Sequence, residues 1–120
     1  MIEKIILDYL AEELSPMPVL METPAGTPED PIPDEYILIE KTGSSETNLI
    51  PSATFAFQSI SSQSLYRAAQ INEDVKGAMF TVISLPEVSR ARLNSDYNFT
   101  DTRTKQYRYQ AVYDITYKEV

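Results

Sequence analysis

The sequence predicts an α+β domain: an antiparallel sheet of four to five strands with two helices packed on it, in the order α-β-β-β-α-β-β. Three observations carry that expectation. Ile2, Ile5, Ile6, Tyr9 and Leu10 recur at helical spacing near the start of the chain. A second helical series runs through Leu65, Ala68, Ala69, Asn72, Val75, Ala78, Met79 and Val82. From Gln106 to Lys118 the period changes to two: Tyr107, Tyr109, Ala111, Tyr113, Ile115 and Tyr117 alternate with a set that is polar apart from Val112. Such alternation marks a long strand with one face buried and one wet.

Each element has a local reason. The first helix spans about residues 2–14, with Leu14 extending its apolar stripe, Glu3, Lys4, Asp8, Glu12 and Glu13 on its other side, and Ser15-Pro16 ending it. Residues 17–22 suit a short strand. The run from Thr23 to Asp34 holds four prolines and Gly26, so it cannot continue a helix or a central strand and reads as an exposed loop with an acidic end. Residues 36–41 read as a strand, followed by a polar turn at Thr42-Gly43-Ser44-Ser45. Residues 52–60 form another strand with Ala53, Phe55 and Phe57 on one face. The two pair as a hairpin across a loop of about ten residues. The second helix is expected from Ser62, a suitable N-cap, to about Leu85, where Pro86 stops it. Gly77 within it costs about 1 kcal/mol relative to alanine, which suggests close packing there. Residues 88–95 are a strand candidate, and 96–105 a polar connection into the long final strand.

Composition bounds the rest. A chain of 120 residues, 42% hydrophobic and 23% charged, fits one globular domain over residues 1–120. The formal charge of −8 argues against a dedicated nucleic-acid binder. It is unevenly spread: residues 1–60 hold 11 acidic and 2 basic residues, and residues 61–120 hold 7 acidic and 8 basic. Solvated acidic segments explain this most simply; a subunit with one negative face for heterologous contacts is the sharper alternative. No apolar run approaches the roughly 20 residues of a membrane helix, and Glu3, Asp8, Glu12 and Glu13 interrupt any signal-peptide core, so the chain is expected to be cytoplasmic when made.

Cysteine and histidine are both absent. That removes thiolate chemistry, the commonest metal ligand and the commonest general base. Other catalytic patterns fail on spacing. Asp96, Asn98 and Thr100 alternate like calcium ligands, but the sixth-place glycine is Asp101 and the twelfth-place glutamate is Tyr107. Glu12-Glu13 and Glu73-Asp74 diverge by about 100° on a helix and do not share a site. Gly26, Gly43 and Gly77 stand alone, so there is no phosphate loop. The expectation is a non-enzyme without metal or cofactor.

Two surfaces are candidate partner interfaces. One is the acidic loop end, with Glu29, Asp30, Asp34 and Glu35. The other is the basic concentration of Arg90, Arg92, Arg103, Lys105 and Arg108. The basic set, interleaved with Tyr97, Phe99, Tyr107 and Tyr109, suits either pairing with an acidic neighbour or a single-stranded nucleic-acid surface; the overall charge favours the first. Arg108, Asp114 and Lys118, on the polar face of the final strand, are expected to be free to meet a neighbouring subunit.

Certain segments, taken together, resemble a known family. They are the N-terminal amphipathic helix, Ile39-Glu40-Lys41-Thr42-Gly43, the Ala53–Ser59 strand, Ser64-Leu65-Tyr66-Arg67-Ala68-Ala69, and the ending from Leu93 to Asp101 and Tyr107 to Tyr113. The chain resembles, over nearly its whole length, the small tail-terminator (tail-completion, neck) proteins of long-tailed bacteriophages and prophages of Gram-positive bacteria. The proline-rich 23–33 segment is a departure. The resemblance implies a non-enzymatic virion subunit, made in the host cytoplasm, that closes into a hexameric ring on the head-proximal end of the tail tube. Its implied partners are other copies of itself, the tube protein and the head-closure protein, with DNA passing through the lumen unbound. A head-closure protein or a tube-like subunit is the alternative within the same assembly. A monomeric cytoplasmic domain binding single-stranded nucleic acid is the alternative outside it.

Overall fold

The computed structural model describes residues 1–101, 103 and 106–118. In chain order they form α1 (Ile2–Glu13), β1 (Val19–Leu20), β2 (Glu35–Thr47), β3 (Ile50–Ser61), α2 (Leu65–Phe80), a 3₁₀ turn (Val82–Ser84), β4 (Val88–Asn98) and β5 (Tyr107–Tyr117). The five strands make one sheet in the order β1-β2-β3-β5-β4. All neighbours are antiparallel except the two-residue β1, which runs parallel to β2 at Ile37 and Leu38. The α+β class and element order read from the sequence are those of the molecule.

Both helices lie on one side of the sheet, where the period-two and period-3.6 patterns meet. Ile2, Ile6 and Leu10 of α1 and Ile71, Val75 and Met79 of α2 share one buried cluster with Ile37, Ile39, Phe55, Phe57 and Ile115. Burying each large apolar side chain stabilises the fold by roughly 1.5–3 kcal/mol. Phe55 and Phe57 stack with centroids 6.0 Å apart, and Phe57 meets Tyr113 at 5.8 Å. The Tyr9 hydroxyl donates to the Ala78 carbonyl at 3.0 Å, joining α1 to the last turn of α2. Tyr113 and Tyr117 belong to this core, whereas Tyr107 and Tyr109 at the other end of β5 are only half-buried.

Several boundaries differ from the sequence reading. The hairpin has no ten-residue loop: β2 and β3 pair as far as Thr47 opposite Ile50, and a two-residue turn closes them. Its residues, Asn48 and Leu49, have φ of 52° and 66°. Thr42 to Ser45 are strand rather than turn, since serine and threonine suit a solvent-facing ladder, and Gly43 follows a bulge instead of marking a loop. The cap of α2 is Ser64, not Ser62, because the Ser64 hydroxyl accepts from the Arg67 N–H at 3.0 Å. α2 also stops early. The β-branched run Thr81-Val82-Ile83 disfavours helix, and both the N–H and the hydroxyl of Thr81 turn back to the Ala78 carbonyl. Gly77 is not a close-packing site: a side chain there would meet nothing within 4 Å. The connection before β5 is shorter than expected, because β4 continues through Asn98.

Candidate functional site

Of the sequence-selected residues, Arg90, Arg92 and Arg108 lie on the face of the sheet away from the helices. Cross-strand registers place Gln58 opposite Gln110, and Gln110 opposite Tyr97. The side chains join in that order. Arg108 donates from Nη1 to Gln58 Oε1 at 2.6 Å, Gln58 Nε2 donates to Gln110 Oε1 at 3.0 Å, and Gln110 Nε2 donates to the Tyr97 hydroxyl at 2.5 Å. Arg108 Nη2 also donates to Gln106 Oε1. Each amide thus gives one bond and receives one, and Gln58 and Gln110 are only 6% and 8% exposed. Beside this ladder, Asp114 accepts from Thr54 Oγ1 at 2.9 Å and from Asn94 Nδ2 at 3.1 Å.

This overturns one expectation. Arg108 and Asp114 are not free; both are held within the sheet by neighbours on β3, β4 or β5. Arg108 Nε is buried without a hydrogen-bond partner among the described residues. Lys118 alone of that trio is exposed. Amide, phenol and guanidinium bonded in series hold one another in fixed positions.

The acidic loop candidates are not one patch. Asp30 braces its own turn: its carboxylate accepts from the Ala25 N–H at 2.9 Å, and its carbonyl accepts from the Gly26 N–H at 2.9 Å. Gly26, at φ 82°, holds a left-handed conformation that favours glycine, and a Cβ there would also crowd the Ile32 side chain at 3.3 Å. Glu29 and Asp34 are exposed. Glu35 is turned inward: Arg67 Nε reaches both its oxygens at 3.1 and 2.9 Å, and the Ser61 hydroxyl donates to it at 3.0 Å. It clamps α2 to the sheet.

Among the basic candidates, Arg90 and Arg92 stand exposed on β4, two residues apart on one face, with no ion-pair partner among the described residues. Arg103 is exposed and reaches Asp101 at only 3.8 Å. Lys105 lies outside the described residues. Tyr97 and Phe99 form an edge-to-face pair with centroids 6.0 Å apart, both about 40% exposed or more.

Three titratable groups depart from their ordinary values, and none sits in a reactive cluster. Glu3 is lowered, first by a hydrogen bond from its backbone N–H and further by Lys41, 3.1 Å away. Lys76 is raised, first by its hydrogen bond to Asp96 at 2.9 Å. Tyr113 is raised by burial. Among the described residues no group of three acidic side chains is placed to hold a metal ion.

Sequence reasoning missed the hairpin tip. Leu49 is 88% exposed in a left-handed conformation that leucine adopts at a cost of roughly 1–2 kcal/mol, and Ile50 beside it is 53% exposed. Asn48, a residue that tolerates positive φ, is the signal that the sequence offers there. A groove of about 940 Å³ lies between this tip and the adjoining ends of β4 and β5, lined by Glu46, Leu49, Ile50, Ser89 and Lys118 among others. No protein-family model matches the sequence, and no curated protein matches it. No helix among the described residues is long and apolar enough to cross a membrane.

Proposed function

We propose that this chain is a structural subunit of a long-tailed phage or prophage, a tail terminator that forms a ring on the head-proximal end of the tail tube. The resemblance across nearly the whole sequence motivates the reading. The observation that carries it is the division of the sheet: one face sealed by two helices, the other crossed by a fixed polar ladder beside buried Tyr36 and Ile60, and the outer edges of β2 and β4 left largely uncovered. That is the surface of a building block. The tip at Leu49 and Ile50 offers apolar contact along the strand direction, where a stacked ring would meet it. The acidic balance suits a lumen through which DNA slides without sticking.

The test is electron microscopy of the protein mixed with tail tubes of the phage or prophage that encodes it. Caps at one tube end support a terminator. Binding along the tube or at the head connector favours a tube-like or head-closure subunit, and absence of binding overturns the whole group. A second reading rests on the exposed Tyr97–Phe99 pair and nearby Arg103, which suit stacking and charge contacts with single-stranded nucleic acid. Salt-dependent retention of an oligonucleotide, lost in Tyr97→Ala, would favour it.

A further inference from the structure

Two stretches of strand edge in this sheet lack a strand partner among the described residues, and the register places them level with one another. β1 covers β2 only at Ile37 and Leu38, so the outer edge of β2 is open from residue 39 to residue 47. At the opposite side β4 ends the sheet, and its outer edge is open from residue 89 to residue 98, the Val88 N–H being taken by the Leu85 carbonyl. Pairings across the four strands set Ser45, Ser52, Thr116 and Arg90 in one row, and Gly43, Thr54, Asp114 and Arg92 in the next. A further row holds Glu40, Ala56, Val112 and Ser95. All three rows point to the face away from the helices. At one margin of that face stands exposed Glu40, at the other exposed Arg90 and Arg92, and none of the three has an ion-pair partner among the described residues.

We propose that the open edge of β2 in one copy of the chain pairs with the open edge of β4 in the next, setting Ser45 beside Arg90 and Glu40 diagonal to Arg92, one row along, within reach of long side chains. The occupant of each edge is thus a second copy. The contact is antiparallel, since β2 and β4 run in opposite directions within one sheet, and it is heterologous, each copy giving one edge and receiving the other. Because the open part of β2 is level with Arg90 and Arg92, successive copies join with little displacement along the strands. Repetition then tends to a closed ring rather than a steep helix. Opposite charges across neighbouring strands favour this order of edges, whereas β4 against β4 sets arginine against arginine. The inference deepens the ring reading and rests on it for the closed geometry.

Both edges also carry features that discourage pairing: bulges at Lys41/Gly43, Val88/Arg90 and Leu93/Ser95, and the arginines themselves. The experiment decides between partner and protection. The chain has no cysteine, so single substitutions report cleanly. Ser45→Cys and Arg90→Cys, mixed under mild oxidation in solution and on tail tubes, should cross-link with each other, while neither variant alone should form dimers. Glu40→Arg and Arg92→Glu should each weaken assembly roughly tenfold at low salt, and their combination should restore it. Both substitutions are at exposed positions, and circular dichroism verifies that the variants fold. A chain that gives no mixed cross-link either in solution or on tubes overturns the proposal. So does an assembly indifferent to both charge reversals. Tube capping without the cross-link removes the edge contact and leaves the proposed function; cross-linked rings that ignore tubes do the reverse.

Discussion

Phe57 and Gln58 are neighbours on the central strand, both almost wholly buried, on opposite faces of the sheet. Phe57 is buried by other apolar groups: Ile39 and Ala111 flank it in the register, and Phe55 and Tyr113 touch its ring. Gln58 instead has both ends of its amide bonded, to Arg108 and Gln110, with Leu38 opposite it and Ala56 and Ile60 to either side. The first kind of burial is non-directional and scales with area; the second is close to neutral when complete and costly when broken. The helix-covered face rests on the first kind. The other face combines the two, since buried Tyr36, Ala56 and Ile60 share it with Gln58 and Gln110.

The sharpest way to break this contrast is on the apolar side. Phe57→Ala should cost about 3–5 kcal/mol in chemical denaturation, because the removed ring leaves a cavity that the two helices cannot fill. Gln58→Ala, one residue on, should cost about 1–3 kcal/mol, from the bonding groups of Gln110 and Arg108 left unpaired. Replacing both amides tests the argument more finely. Gln58→Leu together with Gln110→Leu should cost less than the sum of the single changes, and a double-mutant cycle of unfolding free energies measures the difference. Strict additivity would mean that the ladder is not a unit. The smallest effect lies at the rim of the helical face, where Glu3 meets Lys41. The folded state lowers the Glu3 pKa from 4.5, so its contribution is complete above that value and is lost as pH falls through the lowered one. The stability gap between the native chain and Glu3→Gln should be constant from neutral pH to about 5 and shrink as the pH falls below 4.5, as read from denaturation midpoints.

Much of the fold was legible because burial leaves a period in the chain. Alternation in 106–118 and the Ile2–Leu10 stripe gave strand and helix with the correct buried faces. What misled was polar sequence read as loop. Thr42 to Thr47 contains no apolar residue, so periodicity is silent, and only pairing with β3 makes it strand. Ile71, fully buried on α2, falls outside the stripe that Ala68 and Asn72 mark in the sequence. The candidate site was less legible than the fold. Exposure of Arg90 and Arg92 agreed with their composition, but the occupation of Arg108, Asp114 and Glu35 depends on partners 26 to 60 residues away.

The sequence by itself determined the order of elements, the helix-facing side of β5 and the want of thiol and imidazole chemistry, because these depend on residue type and local spacing. Tertiary structure decided which charges are spoken for. A carboxylate or guanidinium carries no sign in the sequence of whether a distant strand will supply its partner, so Glu35 and Glu40 read alike until the sheet is assembled. Only then is one clamped by Arg67 and Ser61 and the other left at an open edge.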